Sequence, residues 1–225
     1  MDISKSKRKP VIFSDFDGTI TERDVIVMIM EKFAPPEWIE IKNKILYERS
    51  ITLKDGVEYL FKLIDSNRRE EIISFVKKEA KIRKGFDELL DFCEKENIEF
   101  NVVSGGLDFF INAVLEDYLN RVKIYCNEGN FSSKKIGIDY KYLPKSCYLC
   151  GECGCCKIEI IQWYPKDRFE RILIGDSLTD LAASKICDMV FARGDLIKYL
   201  EQEKISYIPF EDFYEVKEKL KPVAF

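Results

Sequence analysis

Not one histidine occurs in the 225 residues. That absence excludes Ser-His-Asp and Cys-His nucleophilic mechanisms, phosphohistidine intermediates and histidine metal ligation. Acid–base work falls to carboxylates, lysine, tyrosine or cysteine. Long apolar runs are missing too: no stretch approaches the roughly 20 residues a membrane-spanning helix needs. The first ten residues are polar and basic, but the apolar segment that follows carries Asp15 and Asp17, which is unlike a secretory h-region. Positive charge is not in excess. The 36 Lys and Arg stand against 40 Asp and Glu, and the net charge of −4 argues against a general nucleic-acid binder. No internal repeat or low-complexity linker breaks the chain. The expectation is a cytoplasmic globular protein without nucleic-acid or membrane partners, long enough for one ordinary domain plus an insertion.

What is present is organised around Val11-Ile12-Phe13-Ser14-Asp15-Phe16-Asp17-Gly18-Thr19-Ile20-Thr21. An apolar run of β type stops at two carboxylates and a glycine. Alternation along an extended chain puts Asp15 and Asp17 on one side, and Gly18 permits a tight turn after them. Taken alone, a strand closing in a solvated acidic turn explains the stretch better. Three later stretches weigh against that. Val102-Val103-Ser104-Gly105-Gly106 is an apolar strand end followed by a hydroxyl and two glycines. Lys157 stands at the start of a helix. Ile172-Leu173-Ile174-Gly175-Asp176-Ser177-Leu178-Thr179-Asp180 is another strand running into glycine and acids.

In that order these stretches resemble the four signature motifs of the haloacid dehalogenase-like phosphatases. The resemblance implies that Asp15 attacks phosphorus and becomes an aspartyl phosphate. Asp17 would protonate the leaving oxygen and then activate the hydrolytic water. A carboxylate attacking a phosphate dianion needs cations nearby, and Mg2+ suits a site of oxygen ligands. Its ligands would be the Asp15 carboxylate, the Asp17 backbone carbonyl and Asp176, with Asp180 one helical turn further on and behind them. Ser104 and the Gly105 N–H would hold phosphate oxygens, and Lys157 would neutralise the phosphate and Asp15. Singly, each has a plainer reading: a Ser-Gly-Gly turn, a solvated lysine, a helix-start acid.

From about Asp24 to Ala80 the apolar spacing is helical, with a break at Pro35-Pro36 and an N-cap at Thr52. We read residues 23–84 as a helical cap, although core helices would show the same periodicity. Residues 1–22 and 85–225 then form the catalytic core. There, strands near 11–15, 99–103, 122–126, 171–174 and 189–191 alternate with helices, and residues 128–143 have the punctuation of a β-hairpin. The fold class is α/β, a three-layer Rossmann-like parallel sheet with an inserted helical cap.

Phe33-Ala34-Pro35-Pro36-Glu37-Trp38, the run from Val103 to Phe110, and Tyr125-Cys126-Asn127-Glu128 narrow the resemblance. They are similar to the 2-hydroxy-3-keto-5-methylthiopentenyl-1-phosphate phosphatases of methionine salvage. Phosphoserine phosphatases are close relatives that use a cap glutamate and a cap arginine for their substrate. Asp24 takes the first place here, and the helix from Leu53 has no arginine. Met28 and Trp38 suit a methylthio group, or are simply cap core. The partner is a small phosphate ester; a phosphoserine or other metabolite phosphatase is the alternative. Oligomeric state has no signal in the sequence.

Cys147, Cys150, Cys153 and Cys156 recur at three-residue intervals, with Cys155 extra. Four such thiolates could close around a structural Zn2+ beside Lys157. Reduced or disulfide-linked thiols and an iron–sulfur cluster are the other readings. A non-catalytic metal- or redox-binding module built on this loop would leave the acids of the first and last motifs without a purpose.

Overall fold

The computed structural model describes residues 8–144 and 153–221. Strand β1 (Lys9–Ser14) lies in the middle of a sheet. On one side follow β2 (Glu99–Leu107), β3 (Lys123–Asn130) and β4 (Gly137–Asp139); on the other, β5 (Phe169–Gly175), β6 (Met189–Ala192) and β7 (Ile208–Pro209). All pairings are parallel except β3 with β4, which is the expected hairpin. Phe13 of β1 stands opposite Asn101 of β2 and Leu173 of β5. The strand order therefore reverses at β1. In an open α/β sheet, ligand-binding groups collect at the carboxyl ends of the strands around such a point.

The two faces follow the period-two rule. Val11, Phe13, Val103 and Leu173 pack against Ile160 and Ile161 of α7 (Lys157–Gln162), Ala183 of α8 (Leu178–Ser184) and Leu196 of α9 (Gly194–Glu203). Ile12, Phe100, Val102, Ile172 and Ile174 belong to a core with Leu89 of α5 (Phe86–Lys95), Phe110 of α6 (Asp108–Val114) and Val216 of α10 (Phe213–Leu220). Helix α6 ends at Val114 and gives way to a short 3-10 turn at Glu116–Tyr118. No helix of the described residues is long and apolar enough to cross a membrane.

Between β1 and α5 come four further α-helices: α1 (Val25–Phe33), α2 (Trp38–Leu46), α3 (Leu53–Lys62) and α4 (Arg69–Glu79). Pro35 and Pro36 separate the first two, as their ring geometry demands. Thr52 caps α3, its Oγ1 accepting from Asp55 N–H at 3.0 Å. Ile29, Phe61, Ile72 and Val76 turn inward and join the larger core, whereas α2 buries no residue fully.

The chain leaves and re-enters the sheet layer at one place. Thr21 and Ile82 form an antiparallel bridge, Glu22 N–H donates to Lys81 O at 2.9 Å, and Arg83 N–H donates to Ile20 O at 2.8 Å. The buried Arg83 guanidinium clasps the same loop. Its Nε donates to Thr19 O at 2.8 Å, and its Nη2 donates to Gly18 O at 2.8 Å and Thr21 O at 2.9 Å. A second contact runs from the β3–β4 hairpin. Ile136 N–H donates to Ile64 O, Ser66 N–H donates to Lys134 O, and Lys135 pairs with Asp65 at 3.0 Å.

Candidate active site

Asp15 follows β1 directly and keeps the parity of Val11 and Phe13, towards α7 and α8. Lys157, the first residue of α7, donates from Nζ to Asp15 Oδ1 at 2.6 Å and to Asp180 Oδ1 at 2.5 Å. All three side chains are buried. Asp180 sits in the first turn of α8, and its Oδ2 accepts from the N–H groups of Asp176 (3.1 Å) and Ser177 (3.2 Å). A Cβ at Gly175 would fall 2.4 Å from Asp180 Cγ, so only glycine lets this carboxylate lie against the strand end.

Asp17 arrives by another route than the expected alternation. The chain turns after Asp15 within Phe16–Ile20, a segment closed by Thr21 N–H donating to Phe16 O at 3.1 Å, in which Asp17 and Gly18 have non-helical backbone and Gly18 stands at φ +78°. Asp17 extends from that turn. Its Oδ1 accepts from Val25 N–H at 2.8 Å, and its Oδ2 lies 3.5 Å from Ser104 Oγ. A Cβ on Gly18 would sit 2.4 Å from Asp176 Oδ2. Thr19 Oγ1 donates to the other Asp176 oxygen at 3.2 Å.

Ser104 and Gly105 lie in a β-bulge. Val103 pairs with Tyr125 and Leu107 with Asn127, so the three residues from Ser104 to Gly106 oppose Cys126 alone. This explains why β2 runs four residues beyond the expected Val103. Gly106 N–H donates to Ser104 Oγ at 3.0 Å, and Asn127 Nδ2 donates to Gly105 O at 3.2 Å. A Cβ built on Gly105 would meet no atom closer than Cys153 O at 3.8 Å, so the space above this peptide is open.

These residues surround one cavity of about 140 Å³. Asp15, Asp17, Ser104, Gly105, Asn127 and Asp176 form its sheet side; Asp24, Ile26, Leu53, Lys54 and Val57 face them from α1 and α3 or the residues that cap them. Asp24 also caps α1, accepting from Val27 N–H at 2.9 Å. Met28 and Trp38 are not in the lining; Met28 is buried elsewhere, and Trp38 packs against the larger core. The sequence reading passed over Lys54, Tyr140 and Arg83. Tyr140 comes from beyond β4 and donates to Lys54 O at 3.2 Å. No local pattern distinguishes these residues from ordinary surface positions.

Burial pushes the Asp15 carboxyl up to about 6, with Lys157 opposing and Asp180 adding to the rise. Burial, then Asp15 and Asp180, raise Asp176 to about 8. Burial, then the charges of Asp24 and Asp15, hold Asp17 well above the carboxylate range. For Lys157 burial favours the neutral amine, but Asp15 and Asp180 win and keep it cationic. Among the described residues, Asp15, Asp176 and Asp180 each offer an oxygen within 4.8 Å of the others. An all-oxygen, strongly anionic set fits a hard divalent cation such as Mg2+. Asp180 is the poorest donor of the three, because both its oxygens already accept from protein N–H groups.

The expected zinc site gains no support. Cys147 and Cys150 lie outside the described residues. Cys153 is half-buried with Sγ directed at Cys155 O, Cys156 is fully buried as it enters α7, and no three cysteines of the described residues gather as metal ligands.

Comparison with known proteins shows the family and the fold. Residues 12–185 match the family described as haloacid dehalogenase-like hydrolase. The chain is 47% identical over 212 residues to 2-hydroxy-3-keto-5-methylthiopentenyl-1-phosphate phosphatase of Bacillus cereus (strain AH820), covering 93% of this chain and 95% of that one. The same-named protein of Bacillus cereus (strain ATCC 10987 / NRS 248) is 45% identical over 210 residues, with the same coverage. Among solved structures, phosphoserine phosphatase from T. onnurineus superposes with a TM-score of 0.67 at 17% identity, covering 98% of each chain. The chain belongs to the haloacid dehalogenase-like hydrolases and is a phosphatase among them.

Proposed function

We propose that this phosphatase hydrolyses 2-hydroxy-3-keto-5-methylthiopentenyl-1-phosphate, the methionine-salvage substrate, through an aspartyl phosphate on Asp15. The observation that carries the mechanism is the buried run Asp15–Lys157–Asp180 opening onto a cavity that Asp17, Ser104 and Gly105 share. The substrate rests on identity of 45–47% to relatives that bear its name.

Asp15 attacks phosphorus, and the bond from phosphorus to the leaving oxygen breaks. Asp17, held protonated by its surroundings, gives its proton to that oxygen. It then takes a proton from water as the water attacks the acyl phosphate, which releases inorganic phosphate and restores the Asp15 carboxylate. Ser104 Oγ and the Gly105 N–H hold the phosphoryl oxygens. Lys157 offsets their charge, while Asp180 fixes the ammonium in place. Asp15, the Asp17 carbonyl and Asp176 would hold Mg2+, which when bound lowers the charge repulsion between carboxylate and phosphate. Asp180 supports this group from behind.

Residues 23–84 act as the cap in this reading and residues 1–22 and 85–225 as the core, which the paired crossing at Thr21 and Ile82 favours. Ile26, Leu53 and Val57 give the cap wall an apolar surface suited to a methylthio tail. Phosphoserine is the competing substrate, and Lys54 keeps it in contention. No arginine lines the cavity, but Lys54 places one cation in it. A single ammonium pairs with a carboxylate at one point, without the bidentate geometry of arginine. The test is phosphate release from both esters, with and without EDTA. We expect kcat/KM for the enolic ester to exceed that for phosphoserine by at least about a hundredfold, and activity to vanish with EDTA. Equal turnover of phosphoserine would refute the substrate; EDTA-insensitive turnover would refute the metal.

A further inference from the structure

Asn127 lies on β3 opposite Leu107, just beyond the bulge that carries Ser104 and Gly105, and it is 1% exposed. Its two amide atoms have different fates. Nδ2 donates to Gly105 O at 3.2 Å. A carbonyl only accepts, so this contact fixes the amide orientation and leaves Oδ1 as the other terminus. Oδ1 is buried and has no donor among the described residues, and Asn127 lines the cavity. Buried amide oxygens in folded proteins almost always find a donor. This one belongs to a side chain already bonded to the peptide that seats the phosphate, so its reach covers the first carbons of a bound ester.

We propose that Asn127 is a specificity-determining residue whose Oδ1 accepts a hydrogen bond from a hydroxyl on the carbon next to the phosphate-bearing carbon. This deepens, and rests on, the phosphatase reading above. An acceptor at this point penalises a ligand carbonyl or ether there and rewards a donor. The enolic 2-hydroxyl of the proposed substrate is such a donor, one carbon from its 1-phosphate. Asn127 thus has two duties: Nδ2 holds the Gly105 peptide for the phosphate, and Oδ1 recognises the neighbouring hydroxyl.

Three simple esters separate these duties: propyl, 2-hydroxypropyl and 2-methoxypropyl phosphate. The wild-type protein should prefer 2-hydroxypropyl to propyl phosphate by roughly tenfold or more in kcat/KM, since a site built around a hydroxyl rejects its deoxy analogue. In Asn127→Ala that ratio should fall to within about threefold of one. Asn127→Asp keeps an oxygen acceptor but loses the bond to Gly105 O, so it should lose activity on both esters and retain the ratio. Such a change in ratio is not what a merely structural role would produce. A wild-type ratio near one, the same ratio in wild type and Asn127→Ala, or loss of the ratio in Asn127→Asp would each overturn the proposal. So would a kcat/KM for the methoxy ester as high as that for the hydroxy ester. If 4-nitrophenyl phosphate is still hydrolysed in those cases, the phosphatase reading stands and only the inference falls. If no phosphate ester is hydrolysed, both fall.

Discussion

The cavity has two walls of unlike character. On the sheet side nearly every polar group is committed: Lys157 to Asp15 and Asp180, Asp180 to two backbone N–H groups, Asp17 to Val25, Asp176 to Thr19. Glycines at 18 and 175 let these groups approach more closely than any Cβ would permit. On the helical side Ile26, Leu53 and Val57 are half-buried and apolar, and Lys54 is the cation. The first wall resists change because moving one group strands the charge of another. The second tolerates change because an apolar contact is graded and non-directional. On the proposed reading the chemistry lies with the constrained wall, and the apolar part of selectivity with the other.

The largest effect expected of this contrast is at Asp15. Asp15→Asn should abolish turnover of every phosphate ester, by a factor on the order of 10³ or more, because an amide is no nucleophile. Its size is unchanged, and Lys157 keeps Asp180, so the folded state should persist. Phosphate release and a thermal melt, measured together, test both halves. Near-normal release by this variant would remove the sheet wall from the chemistry.

A smaller effect, and one that depends on substrate, belongs to the other wall. Leu53→Ala should lower kcat/KM for the methylthio ester by roughly tenfold, the scale of losing apolar contact in a pocket. The loss with acetyl phosphate, which has no apolar tail, should be several times smaller. Equal losses on the two esters would mean that the helical wall serves catalysis generally and does not select.

The smallest effect concerns protons. Without metal, Asp176 titrates near 8 in the folded protein, against about 3.9 for an unperturbed aspartate. The folded state therefore binds the extra proton between those values. The stability it contributes is full below the lower value and is lost as pH rises through about 8. Mg2+ needs the carboxylate and competes with that proton. The rise in Tm on adding Mg2+ should grow between about pH 6 and pH 8.5, reaching roughly 5–10 °C at a hundredfold excess over Kd. A rise independent of pH would show that Asp176 is not where the ion and the proton meet.

The two walls also differed in how far they could be read from the sequence. Asp15, Ser104 and Asp176 each follow an apolar run, and such a run followed by acid, hydroxyl or glycine is a local signal. The three strands are neighbours in the sheet, so three local signals converged on one place. Asp17 showed the limit of the period-two rule, because the turn at Gly18 begins one residue earlier than alternation assumes. Asn127 was visible only as part of a resemblance. Its role depends on a register shift between two strands, which neither strand displays by itself. Lys54 and Tyr140 meet because the hairpin and α3 pack together, and Met28 and Trp38 miss the cavity because helix rotation is set by packing. Periodicity shows that a residue faces inward but not which interior it faces.

The bridge between Thr21 and Ile82 gives the chain a seam. Everything from Glu22 to Lys81 enters and leaves through adjacent residues, so to the sheet layer it is one long loop. The ends of that loop are already fastened by backbone hydrogen bonds and by Arg83. Doubling the length of a flexible loop costs only about 0.6 kcal/mol in closure entropy. A graft of foreign sequence between those two points would leave the register of β1 with β2 and β5 undisturbed. The helical wall can therefore be exchanged at this one seam, provided the replacement restores the apolar face that Ile29, Phe61, Ile72 and Val76 give to the larger core.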